Sequence, residues 1–140
     1  MKLYGAPYSR AGRCVWMLEE LGTPYENIPL SPRSGETRSP ENLKRNPNGH
    51  VPVLEDGSLV LWESLAINLY LAEKHGKLLP ATVEDRALAT QWSFWAMTEV
   101  EPPLITLLMN RMFLPEAQRD AKAADQAAVT LQTPLKVLDA

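Results

Sequence analysis

The chain has 140 residues, of which 45% are hydrophobic and 22% charged, and its formal net charge is −3. This composition is typical of a folded globular protein, and the weak negative charge argues against nucleic acid or an anionic membrane as a partner. No apolar run approaches the roughly 20 residues of a membrane span, and the first residues lack the apolar core of a secretion signal. The single cysteine, Cys14, excludes a disulfide within the chain, and with His50 and His75 it makes no recognisable metal set. We therefore expect a cytoplasmic protein without a bound metal.

Residues 1–80 carry alternating strand and helix patterns. Apolar residues recur at helical spacing from Ala11 to Leu21, and Gly22 ends that helix. Asp56-Gly57 predicts a tight hairpin between two strands. The predicted elements are, in order, a strand over 2–5, a helix over 11–21, a strand over 25–30, a short helix over 41–45 within an irregular stretch, strands over 51–55 and 58–62, and a helix from 65 that ends at Gly76. This order, βαβαββα, predicts one small α/β domain.

Residues 81–140 change to an all-helical pattern. Thr82 and Asp85 form a capping-box signature, Pro102-Pro103 predicts a kink, and Pro115 suits the first position of the last helix. That helix is expected to bury a stripe of alanine and leucine: Ala117, Ala121, Ala124, Ala128, Leu131, Leu135 and Leu138. Because the pattern is still apolar where the sequence stops, we expect the first helices of an incomplete all-α domain, prone to self-association.

Ser64 stands where a strand-forming run ends and an apolar helix begins. A helix start capped by serine presents free backbone N–H groups and the positive end of a dipole, which favour a carboxylate or a phosphate. Glu63, one residue earlier, adds a negative charge. The pair suits a ligand that carries both an anion and a cation, such as an amino-acid headgroup. The alternative is that Ser64 serves only as a helix cap.

Five segments, taken in order, resemble the cytosolic glutathione transferases of the serine-type, theta- or phi-like bacterial kind. The segments are Lys2-Leu3-Tyr4-Gly5-Ala6, Ser9 with Arg13 four residues on, Ser39-Pro40-Glu41, Asn46 through Leu54, and Glu63-Ser64-Leu65-Ala66-Ile67 followed by Tyr70-Leu71. The resemblance covers the whole chain. It implies a thioredoxin-like glutathione-binding domain over residues 1–80, the beginning of a helical domain over residues 81–140, and a homodimer.

The resemblance gives the binding residues their tasks. Glu63 would face the ammonium of the γ-glutamyl end of glutathione, and Ser64 would face its carboxylate. Val51 would pair its backbone with the cysteinyl unit as an added strand does, and the bond between Val51 and Pro52 would be cis.

Three basic side chains compete for the other end of glutathione. Arg38 and His50 stand where related transferases place a Lys or Gln that reaches the cysteinyl-glycine portion. Arg38 is the candidate for the terminal carboxylate, and Lys44 is its competitor. Each could equally be a solvated basic side chain.

Ser9 is the predicted thiol activator, because it matches the activating serine between the first strand and the first helix. It would donate a hydrogen bond to the glutathione sulfur; otherwise it would only cap the helix. Tyr8 is the second choice. Tyr4 is expected to pack within the shared strand motif, and Cys14 is expected to be a packed thiol on the apolar helix face.

The implied activity is attack of the glutathione thiolate on a small hydrophobic electrophile, or on a peroxide. Glutathione would be the co-substrate, and no metal is needed. The alternative is a non-catalytic binding or interaction module with the same fold, or an inactive truncated homologue. A serine hydrolase is disfavoured because the chain lacks a Gly-x-Ser-x-Gly elbow.

Overall fold

The computed structural model describes every residue from Met1 to Ala140. The chain forms two compact units, Met1–Leu79 and Pro80–Ala140. None of its helices combines the length and the apolar character needed to cross a bilayer.

A four-stranded mixed sheet forms the centre of the first unit. The strands are β1 (Lys2–Tyr4), β2 (Glu26–Ile28), β3 (Val53–Asp56) and β4 (Leu59–Trp62), and their spatial order is β2-β1-β3-β4. Strand β1 runs parallel to β2 and antiparallel to β3, which pairs antiparallel with β4. The helices are α1 (Ala11–Leu21), α2 (Pro40–Arg45), which follows a 3-10 turn at Glu36–Arg38, and α3 (Ser64–His75). The predicted order βαβαββα is confirmed.

Helices α1 and α3 pack against each other and against the sheet through one apolar cluster. Its buried members are Leu3 of β1, Cys14, Leu18 and Leu21 of α1, Leu54 of β3, and Ile67 and Leu71 of α3. The predicted apolar stripe of α1 therefore supplies almost half of this core. Gly22 ends α1 with a φ of 65°, a conformation that residues other than glycine rarely adopt. The shared cluster packs α1 against α3.

The hairpin between β3 and β4 turns one residue later than the sequence suggested. Asp56 still pairs with Leu59, so the two-residue loop is Gly57-Ser58, and the predicted loop Asp56-Gly57 is wrong by one position. The Asp56 carboxylate accepts a hydrogen bond of 2.7 Å from the Tyr70 hydroxyl and forms an ion pair with Lys74. Both partners lie on α3. The Lys74 bond, followed by the Tyr70 bond, holds the pKa of Asp56 below its usual value. These contacts keep Asp56 at the end of the strand, and Gly57 takes the positive φ.

The second unit is all helical, as predicted. It contains α4 (Val83–Trp95), a π-helical segment (Ala96–Val100), α5 (Glu101–Leu108), a second π-helical segment (Met109–Phe113), a 3-10 turn (Glu116–Gln118) and α6 (Ala121–Asp139). Thr82 caps α4 by accepting a hydrogen bond of 3.1 Å from the Asp85 N–H. The Asp85 carboxylate in turn accepts from the Thr82 hydroxyl at 2.7 Å, which completes a variant of the predicted capping box.

Helix α6 departs from its prediction at its start and along its buried face. It begins at Ala121 rather than after Pro115, because the Asp120 carboxylate accepts a hydrogen bond of 3.0 Å from the Ala123 N–H and caps the helix there. Helix α6 packs on α5. Its buried residues are Ala124, Ala127, Leu131 and Pro134, whereas Leu135 and Leu138 of the predicted stripe are exposed. The buried stripe thus runs through Pro134, which lies within the helix, one position before the predicted Leu135.

Candidate functional site

Helix α3 begins in an unusual way, at Ser64. Glu63 precedes it with a φ of 75°, and the Glu63 carbonyl accepts a hydrogen bond of 2.9 Å from the Ile67 N–H. Ser64 is therefore the first residue within the helix, and the prediction that its side chain caps the helix is wrong. The reason is the backbone at Glu63, whose positive φ makes Glu63 the residue that directly precedes the helix, one residue earlier than the sequence suggested. Neither side chain makes a capping bond at this helix start, so its first N–H groups remain available to an anion.

A side chain from α1 reaches the start of α3. Arg13 donates a hydrogen bond from Nη1 to the Ser64 Oγ at 3.1 Å. Two further bonds hold the same helix ends together: the Cys14 Sγ donates to the Ser64 carbonyl at 3.5 Å, and Asn68 Nδ2 donates to the Arg13 carbonyl at 3.3 Å. These bonds join two sequence motifs that lie 51 residues apart. The resemblance implies no task for Arg13, whose only signal in the sequence is its place four residues after Ser9.

Ser9 lies between β1 and α1, and its side chain is half-buried. Its hydroxyl donates to the Ala6 carbonyl at 2.7 Å and accepts from the Ala11 N–H at 3.1 Å. Arg10 is the residue that directly precedes α1, and it makes no capping bond. A hydroxyl has one hydrogen to donate and two lone pairs. The Ser9 hydroxyl can therefore keep its bond from Ala11 while it turns its hydrogen from Ala6 to a ligand atom.

The two tyrosines near Ser9 have other partners. Tyr8 is 72% exposed, and its hydroxyl donates to the Ser31 Oγ at 2.9 Å in the segment after β2. Tyr4 is buried, and its hydroxyl donates to Glu55 Oε2 at 2.9 Å on β3 while the Arg45 guanidinium lies 4.4 Å from its ring centroid. Burial, followed by the bond to Glu55, raises the pKa of Tyr4. Tyr4 is thus part of the packing of the sheet.

Gly5 allows the loop before β3 to approach the start of α1. A Cβ atom added at Gly5 would lie 2.5 Å from the Cβ of Ala11 and 3.2 Å from the Cβ of Val51. Only a glycine at this position lets the end of β1 lie between these two neighbours. Val51 and the first residue of α1, Ala11, therefore both pack against Gly5. The Val51–Pro52 peptide bond is cis, as the resemblance implies.

Of the three basic candidates for the glycyl end of glutathione, Arg38 lies close to the loop that leads to His50. Arg38 is exposed at the end of the 3-10 turn, and a Cβ atom added at Gly49 would lie 3.1 Å from the Arg38 Cγ. The turn of Arg38 is thus packed against the loop that leads to His50, whose carbonyl accepts from Asn46 Nδ2 at 3.0 Å. The His50 side chain is exposed, as is that of Lys44 on α2. No hydrogen bond joins these three basic side chains to Ser9 or Ser64.

Comparison with known proteins identifies the family. The family model for the glutathione S-transferase N-terminal domain matches residues 1–73. The chain is 36% identical over 146 residues to a probable glutathione S-transferase of Oryza sativa subsp. japonica. This alignment covers 100% of the chain and 68% of the rice protein. Glutathione S-transferase 4 of Zea mays is 37% identical over 145 residues, which cover 100% of the chain and 65% of that protein. The chain belongs to the glutathione S-transferase family.

A solved structure extends this family assignment to the fold. The theta class glutathione S-transferase of Xanthomonas axonopodis pv. citri, solved with glutathione bound, superimposes with a TM-score of 0.93 at 33% sequence identity, over 99% of this chain and 68% of that one. The predicted thioredoxin-like fold followed by a helical region is confirmed. The chain spans about two thirds of the length of these transferases.

Cys14 does not expose its sulfur in this transferase-family fold. The residue is fully buried on α1, and burial raises the pKa of its thiol to about 12, against a smaller opposing effect of the Arg13 charge. The thiolate is the nucleophilic form of cysteine. Cys14 is therefore a core side chain, as predicted from its position on the apolar helix face.

We expect Cys14 to resist alkylation in the folded chain. A pKa raised from 9.0 to about 12 lowers the thiolate fraction at pH 8 by about a thousandfold. Labelling with iodoacetamide at pH 8, followed by mass spectrometry, should be slow in buffer and fast in concentrated urea. Since Cys14 is the only cysteine, the Cys14→Ala variant gives the blank. Equal labelling rates in the two solvents would show that the thiol is accessible in the folded state.

Proposed function

We propose that this chain is a glutathione transferase that binds glutathione through residues 1–80 and conjugates its thiolate to a small hydrophobic electrophile. The observation that carries the proposal is the hydrogen bond between Arg13 and Ser64, because it brings the motif that contains Ser9 next to the motif that contains Glu63 and Ser64. Because the chain belongs to the glutathione S-transferase family, glutathione is the expected ligand. The related transferase of Xanthomonas axonopodis pv. citri was solved with glutathione bound.

Ser9 is proposed to activate the thiol. A free thiol titrates near pH 8.5, and lowering its pKa to about 6.5 requires about 2.7 kcal/mol of stabilisation of the thiolate. A hydrogen bond to a charged group supplies about 1.5–3 kcal/mol, and a helix N-terminus supplies about 0.3–1 kcal/mol. The Ser9 hydroxyl is next to the start of α1 and accepts from the Ala11 N–H. One hydroxyl and one helix dipole are therefore sufficient for this task.

The remaining residues are proposed to bind the peptide part of glutathione. Glu63 attracts the ammonium group of the γ-glutamyl end, and Ser64 with the first N–H groups of α3 binds its carboxylate. Val51 pairs its backbone with the cysteinyl unit. At the other end, Arg38 and His50 contact the cysteinyl-glycine portion. The Arg38 side chain lies close to Gly49, the residue before His50, and this favours Arg38 over Lys44 for the terminal carboxylate.

The bound thiolate has a second possible reaction, the reduction of a peroxide. Attack on the peroxide oxygen releases an alcohol and leaves a sulfenic acid, which a second glutathione converts to a disulfide and water. We further propose a cytoplasmic homodimer. Exposed apolar side chains along the second unit favour association, and the most exposed are Val83, Phe94, Val129 and Met112.

Calorimetric titration with glutathione at pH 7, in two buffers of different ionisation enthalpy, tests the proposal. We expect binding that releases a proton, because the thiol ionises when it enters the site. S-methylglutathione is the matched control, since it has no thiol proton and should bind without release. Binding of glutathione without proton release would favour a module that holds the ligand without activating it. A lack of binding would overturn the proposal.

A further inference from the structure

We propose that Arg13 is a positioning residue that orients the Ser64 hydroxyl toward the carboxylate of the γ-glutamyl end of glutathione. The proposal rests on the proposed function and assigns a task to Arg13, a motif residue for which the resemblance implies none. Its basis is the bond of 3.1 Å from Arg13 Nη1 to the Ser64 Oγ.

The direction of this bond determines where the Ser64 hydrogen points. A guanidinium group only donates hydrogen bonds, so the Ser64 Oγ must act as the acceptor. Its single hydrogen is then directed away from Arg13, and no protein group accepts it. An anion at the start of α3 would complete a chain of donors that runs from Arg13 through the Ser64 hydroxyl to the carboxylate. Such a charge-assisted chain is stronger than its separate bonds.

The backbone at Arg13 is held against α3, which keeps its side chain within reach of Ser64. Its own carbonyl accepts from Asn68 Nδ2 on α3, and the next residue, Cys14, bonds to the Ser64 carbonyl. Ser64 is buried, with 3% of its surface exposed, so its hydroxyl has few alternative partners in water. Without Arg13, the Ser64 hydroxyl could rotate its hydrogen into the space that the guanidinium occupies. It would then present lone pairs to the carboxylate.

The test combines the Arg13→Met variant with a ligand that lacks the carboxylate. Wild type and variant are titrated by calorimetry with glutathione and with 4-aminobutyryl-cysteinyl-glycine, which is glutathione without its α-carboxylate. We expect Arg13→Met to weaken glutathione binding by about tenfold and to change the affinity for the analogue by less than about twofold. A merely structural role of Arg13 would weaken both peptides equally, and that result would overturn the proposal.

Two further variants keep the result interpretable. Arg10→Met removes the same charge from an exposed side chain near the start of α1, and we expect unchanged affinity for both peptides. Arg13→Lys keeps a cationic donor and should retain glutathione binding within about threefold. If circular dichroism shows that Arg13→Met does not fold, Arg13→Lys is the variant that tests the proposal. A loss in Arg13→Lys that is equal for both peptides would also overturn the proposal. If the wild type binds neither peptide, the proposed function fails together with the inference, whereas binding by the wild type with no effect of Arg13→Met removes the inference alone.

Discussion

The Ser9→Ala variant is expected to leave glutathione binding nearly intact while it removes most of the thiol activation. The lost hydrogen bond is worth about 1.5–3 kcal/mol to the thiolate, which corresponds to a rise of about one to two units in the pKa of the bound thiol. At pH 7, the thiolate fraction and with it kcat/KM toward an electrophile should fall by about three- to twenty-five-fold from a starting pKa of about 6.5. The ultraviolet absorbance of the thiolate, followed against pH in the glutathione complex, measures the pKa directly.

Two variants serve as controls for Ser9→Ala. Ser9→Thr keeps a hydroxyl at the same atom and should retain a lowered thiol pKa. Tyr8→Phe removes a hydroxyl that is bound to Ser31 at the exposed surface, and it should leave kcat/KM unchanged. If Tyr8→Phe raises the thiol pKa and Ser9→Ala does not, Tyr8 is the activator and Ser9 only accepts the Ala11 N–H at the start of α1.

The Leu54→Ala variant is expected to cause the largest loss of stability. Leu54 lies in β3, is fully buried and contacts the cluster shared by β1, α1 and α3. Removing its side chain forfeits the burial of apolar surface and leaves a cavity, at a cost of about 2–5 kcal/mol. Because small domains are stable by only about 5–15 kcal/mol, urea unfolding followed by circular dichroism should show a large decrease in the midpoint. Glutathione binding should weaken with it, since the same cluster holds α1 against α3.

Leu78→Ala is the matched control. Leu78 belongs to the same unit but is 59% exposed, and its side chain contributes little to the core. Its φ of 56° is already in the left-handed region, and alanine keeps that backbone strain unchanged. The expected change in the free energy of unfolding is within about 0.5 kcal/mol. A loss comparable with that of Leu54→Ala would mean that the burial pattern of the first unit is incorrect.

The apolar periodicity and the turn residues were enough to predict most of the first unit. The stripe from Ala11 to Leu21 reads as a helix because one side of it must be buried, and Gly22 ends it because glycine accepts the left-handed conformation at low cost. The Thr82 cap could also be predicted from the sequence, since the threonine and its partner N–H are only three residues apart. The five ordered motifs identified the family because each lies on an element of the expected type.

The site depended more strongly on contacts between distant residues. The resemblance placed Ser9, Val51 and Ser64 in one site, but no local pattern indicates that Arg13 reaches Ser64 across 51 residues. It also assigned Ser64 to the cap of α3, because no local pattern predicts a positive φ at a glutamate such as Glu63.

The amino-acid sequence by itself determined the order of the elements, the helical second half and the family. The tertiary structure decided where β3 ends, which face of α6 is buried, and how Ser64 is held. The reason is the range of the interactions involved. Periodicity, caps and turns act within a few residues, whereas Asp56 is held by Lys74 and Tyr70, and Ser64 by Arg13, only after the chain has folded.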